Sequence, residues 1–148
     1  MNPHVFAYGT LKQGQCRAHL WPAEPISIRP AWIRGCLFDR HDYPAVVAGN
    51  GIVVGEIRLF ADSDIDRVMT VLDQIEGCHQ PGLPNLYDRA VVQAYPYDGE
   101  APDQQTPNAI PMAMANAYFY ARDPIADGFR KVVTDGPAVW PTNGSAAK

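Results

Sequence analysis

The sequence predicts a small α+β domain in which a curled sheet or barrel closes around a pocket. Three observations carry this: several short β-prone runs set apart by turn residues, one strongly amphipathic helix, and too few helices to cover a doubly wound parallel sheet. The 148 residues, 47% of them hydrophobic, fit one domain over residues 1–141, with residues 142–148 expected as a disordered tail.

The elements follow in order. His4-Val5-Phe6-Ala7-Tyr8 is a β-prone run stopped by Gly9, and Trp32 to Phe38 is a second, with Gly35 inside it. Gly51 to Phe60 alternates Val53, Gly55, Ile57 and Leu59 against Ile52, Val54, Glu56, Arg58 and Phe60. A glycine inside so long a strand marks a bend or the close approach of another backbone. Leu86 to Tyr95 alternates again, with Tyr87, Arg89, Val91 and Gln93 on one face, and Ala113 to Ala121 is the last clear strand. Tyr97 to Pro111, rich in Pro, Gln and acidic residues, reads as a mobile loop, and a short helix is expected near Asp127 to Val133.

Asp62 to Gly77 is the amphipathic helix. Ser63 and Asp66 stand at capping-box spacing, Gly77 is the left-handed stop, and Ile65, Val68, Met69, Leu72 and Ile75 form the apolar stripe. At about 100° per residue, position 76 points between the bearings of Leu72 and Met69, so the stripe calls for an apolar residue and the sequence supplies Glu76. An inward carboxylate beside the helix's terminal carbonyls is pushed above its ordinary pKa of about 4.3, which suits a general base. The alternative is a frayed terminal Glu whose carboxylate reaches water.

Composition excludes several classes. A formal charge of −4 offers no basic footprint for nucleic acid, and no apolar run approaches the length of a membrane span. The N-terminus enters a strand directly, without a signal-like segment, and Cys16, Cys36 and Cys78 are odd in number and widely spaced. Reduced thiols in a cytoplasmic protein are the expectation. His4, His19, His41 and His79 show no ligand spacing, so neither a metal nor another cofactor is expected, and the partner is a small molecule.

The turn Tyr8-Gly9-Thr10-Leu11-Lys12 leaves the first strand with a glycine and a hydroxyl residue. Such a turn can expose consecutive backbone N–H groups to an anion or a polarised carbonyl; read alone, it is also an ordinary strand end. Gly14 to Ala18 continues this loop and matches no phosphate-binding pattern. If the face carrying Tyr87 and Arg89 lines the pocket, a phenol and a guanidinium lie within reach of Glu76; if it faces solvent, they are strand decoration. Cys78-His79 is set aside as a nucleophile and base, because neighbours on an extended chain point apart.

The ordered blocks Val5 to Leu11, Tyr43 to Val46, Val54 to Ile57, Leu72 to Gly77, Tyr87 to Arg89 and Ala117-Tyr118 resemble the gamma-glutamylcyclotransferase-like family. The resemblance implies a mixed, mostly antiparallel β-barrel with flanking helices and a pocket at one end. It also implies that Glu76 is the catalytic acid/base and that the amides of Tyr8, Gly9, Thr10 and Leu11 hold the glutamyl group. Tyr87 and Tyr118 match pocket tyrosines. The implied reaction is cofactor-free: the substrate α-amine closes onto its own γ-carbonyl, releasing 5-oxoproline and an amine or amino acid. Two other functions compete with it, a non-catalytic binding or regulatory domain on the same fold and a cyclotransferase acting on a gamma-glutamylated biosynthetic intermediate.

Overall fold

The computed structural model describes residues 1–99, 110–134 and 136–141. Among these residues seven strands and one α-helix follow one another in the order β1 (His4–Ala7), β2 (Ser27–Asp39), β3 (Pro44–Leu59), α1 (Asp62–Ile75), β4 (Tyr87–Pro96), β5 (Ala113–Tyr120), β6 (Arg130–Lys131) and β7 (Ala138–Val139), with a 3-10 turn at Ala18–Leu20. Strand β2 pairs with both β3 and β4, so the sequence of neighbours β2-β4-β5-β1-β3 returns to β2 and closes a five-strand barrel. Closure leaves the central strands without free edges. The β1–β5 pairing is parallel through Val5 and Asn116, while β2–β3, β2–β4, β4–β5 and β1–β3 are antiparallel.

Strand alternation divides the core. Val5 and Ala7 join Val68, Met69 and Leu72 of α1 in one cluster, whereas Phe6 and Tyr8 join Ile33, Val46 and Ile57 in another, inside the closed sheet. Gly55 answers to close approach: a Cβ there would stand 2.2 Å from the Ala7 carbonyl oxygen, so only glycine lets β1 lie against β3 at that point. Gly35 sits at the β2 irregularity between Arg34 and Cys36.

Several expectations change. The barrel has one α-helix among the described residues, where flanking helices were expected. No side chain caps α1: the cap residue is Ala61 in extended conformation, so Ser63 lies within the helix. The chain enters the helix two residues early because Phe60 is buried and its N–H is held by the Pro3 carbonyl, leaving Asp62 and Asp64 to favour the positive helix end. No helix forms at Asp127 to Val133; turns lead through Gly128 (φ +89°) to β6, which pairs with the end of β2. Burial of Phe129 on the core and of Trp140 after β7 holds this segment to the barrel. The expected mobile loop falls mainly on residues 100–109, and the expected tail on 142–148, both outside the described residues. No helix among the described residues is long and apolar enough to cross a membrane.

Candidate active site

Local geometry at the end of α1 places Glu76. Gly77 adopts φ +63°, and the N–H groups of Gly77 and Cys78 donate to the carbonyls of Gln74 and Asp73 at 3.3 and 2.8 Å. This double closure is the Schellman arrangement, which needs the left-handed residue that glycine supplies without a Cβ penalty. The Gly77 carbonyl then accepts from the Leu86 N–H at 2.8 Å, tying the cap to the start of β4. Glu76 is thereby held on the bearing of Leu72, and its side chain lines a cavity of about 150 Å³. At roughly 10–15 Å³ per water, such a space takes a small organic molecule.

The opposite wall is the turn after β1, with Gly9, Thr10 and Leu11 lining the same cavity. Their carbonyls are occupied: Gly9 accepts from Lys12 N, Thr10 from Arg17 N, and Leu11 from Trp21 Nε1, at 3.1, 2.9 and 2.8 Å. Their three N–H groups donate to no described residue. A run of tied carbonyls with free amides is a site for negative charge. Gly9 is required here because a Cβ would meet Pro44 Cγ at 2.7 Å.

Tyr8, Tyr87 and Tyr118 also line the cavity, and each spends its hydroxyl on the protein. Tyr8 donates to the Tyr118 carbonyl at 2.6 Å, Tyr87 to the Pro44 carbonyl at 2.7 Å, and Tyr118 to Asp73 Oδ1 at 2.6 Å. Burial, with the neighbouring Glu76 charge, holds all three phenols above their ordinary pKa, so they stay neutral donors. They present ring surface to the cavity. Arg89 stands elsewhere: its guanidinium contacts both oxygens of Asp73 at 3.1 and 3.2 Å, behind Tyr118, and it does not line the cavity.

The Glu76 carboxylate makes no hydrogen bond or ion pair with any described residue, although its backbone N–H donates to the Leu72 carbonyl at 2.8 Å. Its side chain is partly buried and lines the cavity. Desolvation raises its pKa to about 7, opposed by the positive charge of Arg17. Arg17 is the one cation among the described residues lining the cavity, and sequence reasoning passed over it because a lone loop arginine carries no pattern. Asp73 was also missed as a holder of Tyr118, although its place one helical turn before Glu76 was a usable signal.

Asp73, Cys78 and His79 bring a carboxylate, a thiol and an imidazole within 4.8 Å of one another. The left-handed φ of His79, +57°, turns the ring back so that Nδ1 lies 3.5 Å from Asp73, which an extended chain would prevent. These are zinc-type donors, but Arg89 already contacts both Asp73 oxygens and sets a positive charge beside any cation, and burial favours the protonated Cys78 thiol.

The sequence model of the family described as "Gamma-glutamyl cyclotransferase, AIG2-like" matches residues 5–142. The chain belongs to this family. Among its relatives, Gamma-L-glutamyl-butirosin B gamma-glutamyl cyclotransferase of Niallia circulans is 31% identical over 93 residues, 62% of this chain and 57% of that protein, so the chain spans little more than half of that relative's length. The fold is also similar to the crystal structure of an AIG2-like protein from Mus musculus, with a TM-score of 0.63 and 21% identity, covering 92% of this chain and 91% of that one. YkqA from Bacillus subtilis has a TM-score of 0.54 and 24% identity over 89% of this chain and 38% of its own. At these identities the two structures speak for the fold alone.

Proposed function

We propose that the protein is a gamma-glutamyl cyclotransferase that uses Glu76 as its acid/base and needs no cofactor. The observation that carries this reading is a cavity carboxylate that hydrogen-bonds to no described residue, with a pKa of about 7. A base with that pKa is half ionised near neutrality, where proton transfer in both directions is fastest. Family membership supports the reaction type.

In the proposed sequence, ionised Glu76 takes a proton from the substrate α-ammonium. The freed amine attacks the γ-carbonyl carbon, forming the ring C–N bond, and the carbonyl electrons move onto oxygen, where the Gly9, Thr10 and Leu11 amides face negative charge. The proton held by Glu76 goes to the departing nitrogen as collapse breaks the exocyclic C–N bond, and the carboxylate so restored takes the second proton from the ring nitrogen and passes it to the released amine, leaving 5-oxoproline. The cavity contributes by holding the chain folded for ring closure, since oriented intramolecular attack reaches effective molarities of about 10⁵–10⁸ M. Tyr8, Tyr87 and Tyr118 shape the walls for that conformer.

The printed name of the Niallia relative supports a second reading, in which the leaving group belongs to a larger gamma-glutamylated biosynthetic intermediate. Three unpaired cysteines fit the reducing cytoplasm we assign to the protein. Incubation with gamma-glutamyl amino acids, gamma-glutamyl amines and gamma-glutamylated aminoglycosides, followed by detection of 5-oxoproline, tests both readings. Release from none of them would favour a binding domain.

A further inference from the structure

The three cavity tyrosines are committed to protein acceptors, and among the described lining residues the charged groups left to meet a ligand are Glu76 and Arg17. No hydrogen bond or ion pair to a described residue holds the Arg17 guanidinium, although its backbone N–H is anchored on the Thr10 carbonyl at 2.9 Å. It is near enough to Glu76 to lower that carboxylate's proton affinity, forms no ion pair with it, and lines the same cavity. A planar fork of donors at a cavity wall matches a carboxylate.

The two anion-seeking features occupy different depths. Tyr8, Thr10 and Leu11 are buried, whereas Arg17 is half-buried on a loop whose Cys16, His19 and Leu20 are exposed. The reacting glutamyl group belongs against Glu76 and the amides of the turn that holds the buried Thr10 and Leu11, and the leaving group extends toward the exposed loop that carries Arg17. We propose that Arg17 is a specificity-determining residue that binds a carboxylate on the leaving group, so that the enzyme prefers gamma-glutamyl amino acids or similar acids over neutral gamma-glutamyl amines. This rests on the cyclotransferase reading above for what lies in the cavity.

The test compares gamma-glutamyl-glycine with gamma-glutamyl-methylamine, which differ only by that carboxylate, in the wild type, Arg17→Gln and Arg17→Lys. Loss of the guanidinium also raises the proton affinity of Glu76 for both substrates alike, so the readout is the ratio of the two kcat/KM values. Wild type favours gamma-glutamyl-glycine; Arg17→Gln lowers the ratio about 10- to 100-fold, mainly through KM, and Arg17→Lys restores part of it. An unchanged ratio overturns the proposal. So does an equal rise in KM for both compounds, which would put the shared α-carboxylate on Arg17 instead. Calorimetric binding of both compounds to Glu76→Gln, with and without Arg17→Gln, yields the same ratio without turnover. A binding preference abolished by Arg17→Gln, together with a wild type that releases no 5-oxoproline from either compound, would sink the cyclotransferase reading and leave the carboxylate site standing. Turnover with a flat ratio would sink Arg17 alone, and binding of neither compound would overturn both.

Discussion

Tyr118 donates its hydroxyl to Asp73 Oδ1 at 2.6 Å, and that carboxylate lies one helical turn before Glu76. One helix therefore supplies both the cavity carboxylate and the group that orients a tyrosine of the facing wall. Arg89 completes the linkage from β4 by contacting both Asp73 oxygens, so helix, β4 and β5 meet at a single side chain. Asp73→Asn keeps the size but removes the charge, leaving the largely buried Arg89 without its counter-ion. A loss of about 1–3 kcal/mol in urea denaturation is expected, with a raised KM from a less firmly held Tyr118. Unchanged stability would show that the linkage is incidental.

Glu76→Gln should leave the barrel intact and lower kcat by about 10²–10⁴-fold, since the amide keeps the shape but cannot accept the proton. Single-turnover rates and circular dichroism check the two halves of the statement. Turnover within a few-fold of wild type would remove Glu76 from the mechanism.

The pH dependence has a sign set by the raised pKa. Turnover requires ionised Glu76, so kcat/KM should fall on the acid side with an apparent pKa near 7, a limb absent from Glu76→Gln. Stability runs the other way. Between the ordinary 4.5 and about 7 the folded chain holds a proton that the unfolded chain has lost, so stability falls as pH rises through that window, by at most about 1.4 kcal/mol per unit. Wild type and Glu76→Gln should match near pH 4.5 and diverge in favour of the variant by up to on the order of 3 kcal/mol above pH 7, as read by thermal or urea unfolding. Parallel stability profiles would contradict the burial assigned to this carboxylate.

Gly9→Ala places a methyl group 2.7 Å from Pro44 Cγ. A proline ring yields little, so the turn must move and carry the Thr10 and Leu11 amides with it. A cost of about 1–3 kcal/mol and a clear loss of kcat/KM are expected. Wild-type kinetics in a folded Gly9→Ala protein would argue against any role for that turn.

Activity should survive exhaustive chelation, because Arg89 competes with any cation for Asp73. Loss on chelation with recovery on adding zinc, abolished in His79→Ala, would instead make Asp73, Cys78 and His79 a metal site.

Much of the site was legible because its signals are local. The inward bearing of Glu76 follows from helical periodicity, and the stop at Gly77 from the one backbone conformation that glycine enters freely; both depend on residues within a turn of each other. Strand alternation likewise placed Tyr87 on a face and Gly55 at a close approach. What only the tertiary structure decided was partnership. Arg89 shares its expected face with Tyr87, yet β4–β5 register and the seat of α1 bring Asp73 to it before the cavity does. The barrel closes because β2 is long enough to pair with β3 and β4 together, and β6 and β7 form by adding short edges to strands distant in sequence. Arg17 enters the cavity through a loop folded back on Thr10. Periodicity reports which way a side chain points, whereas its partner is set by long-range packing and register, for which a single chain carries no local signal.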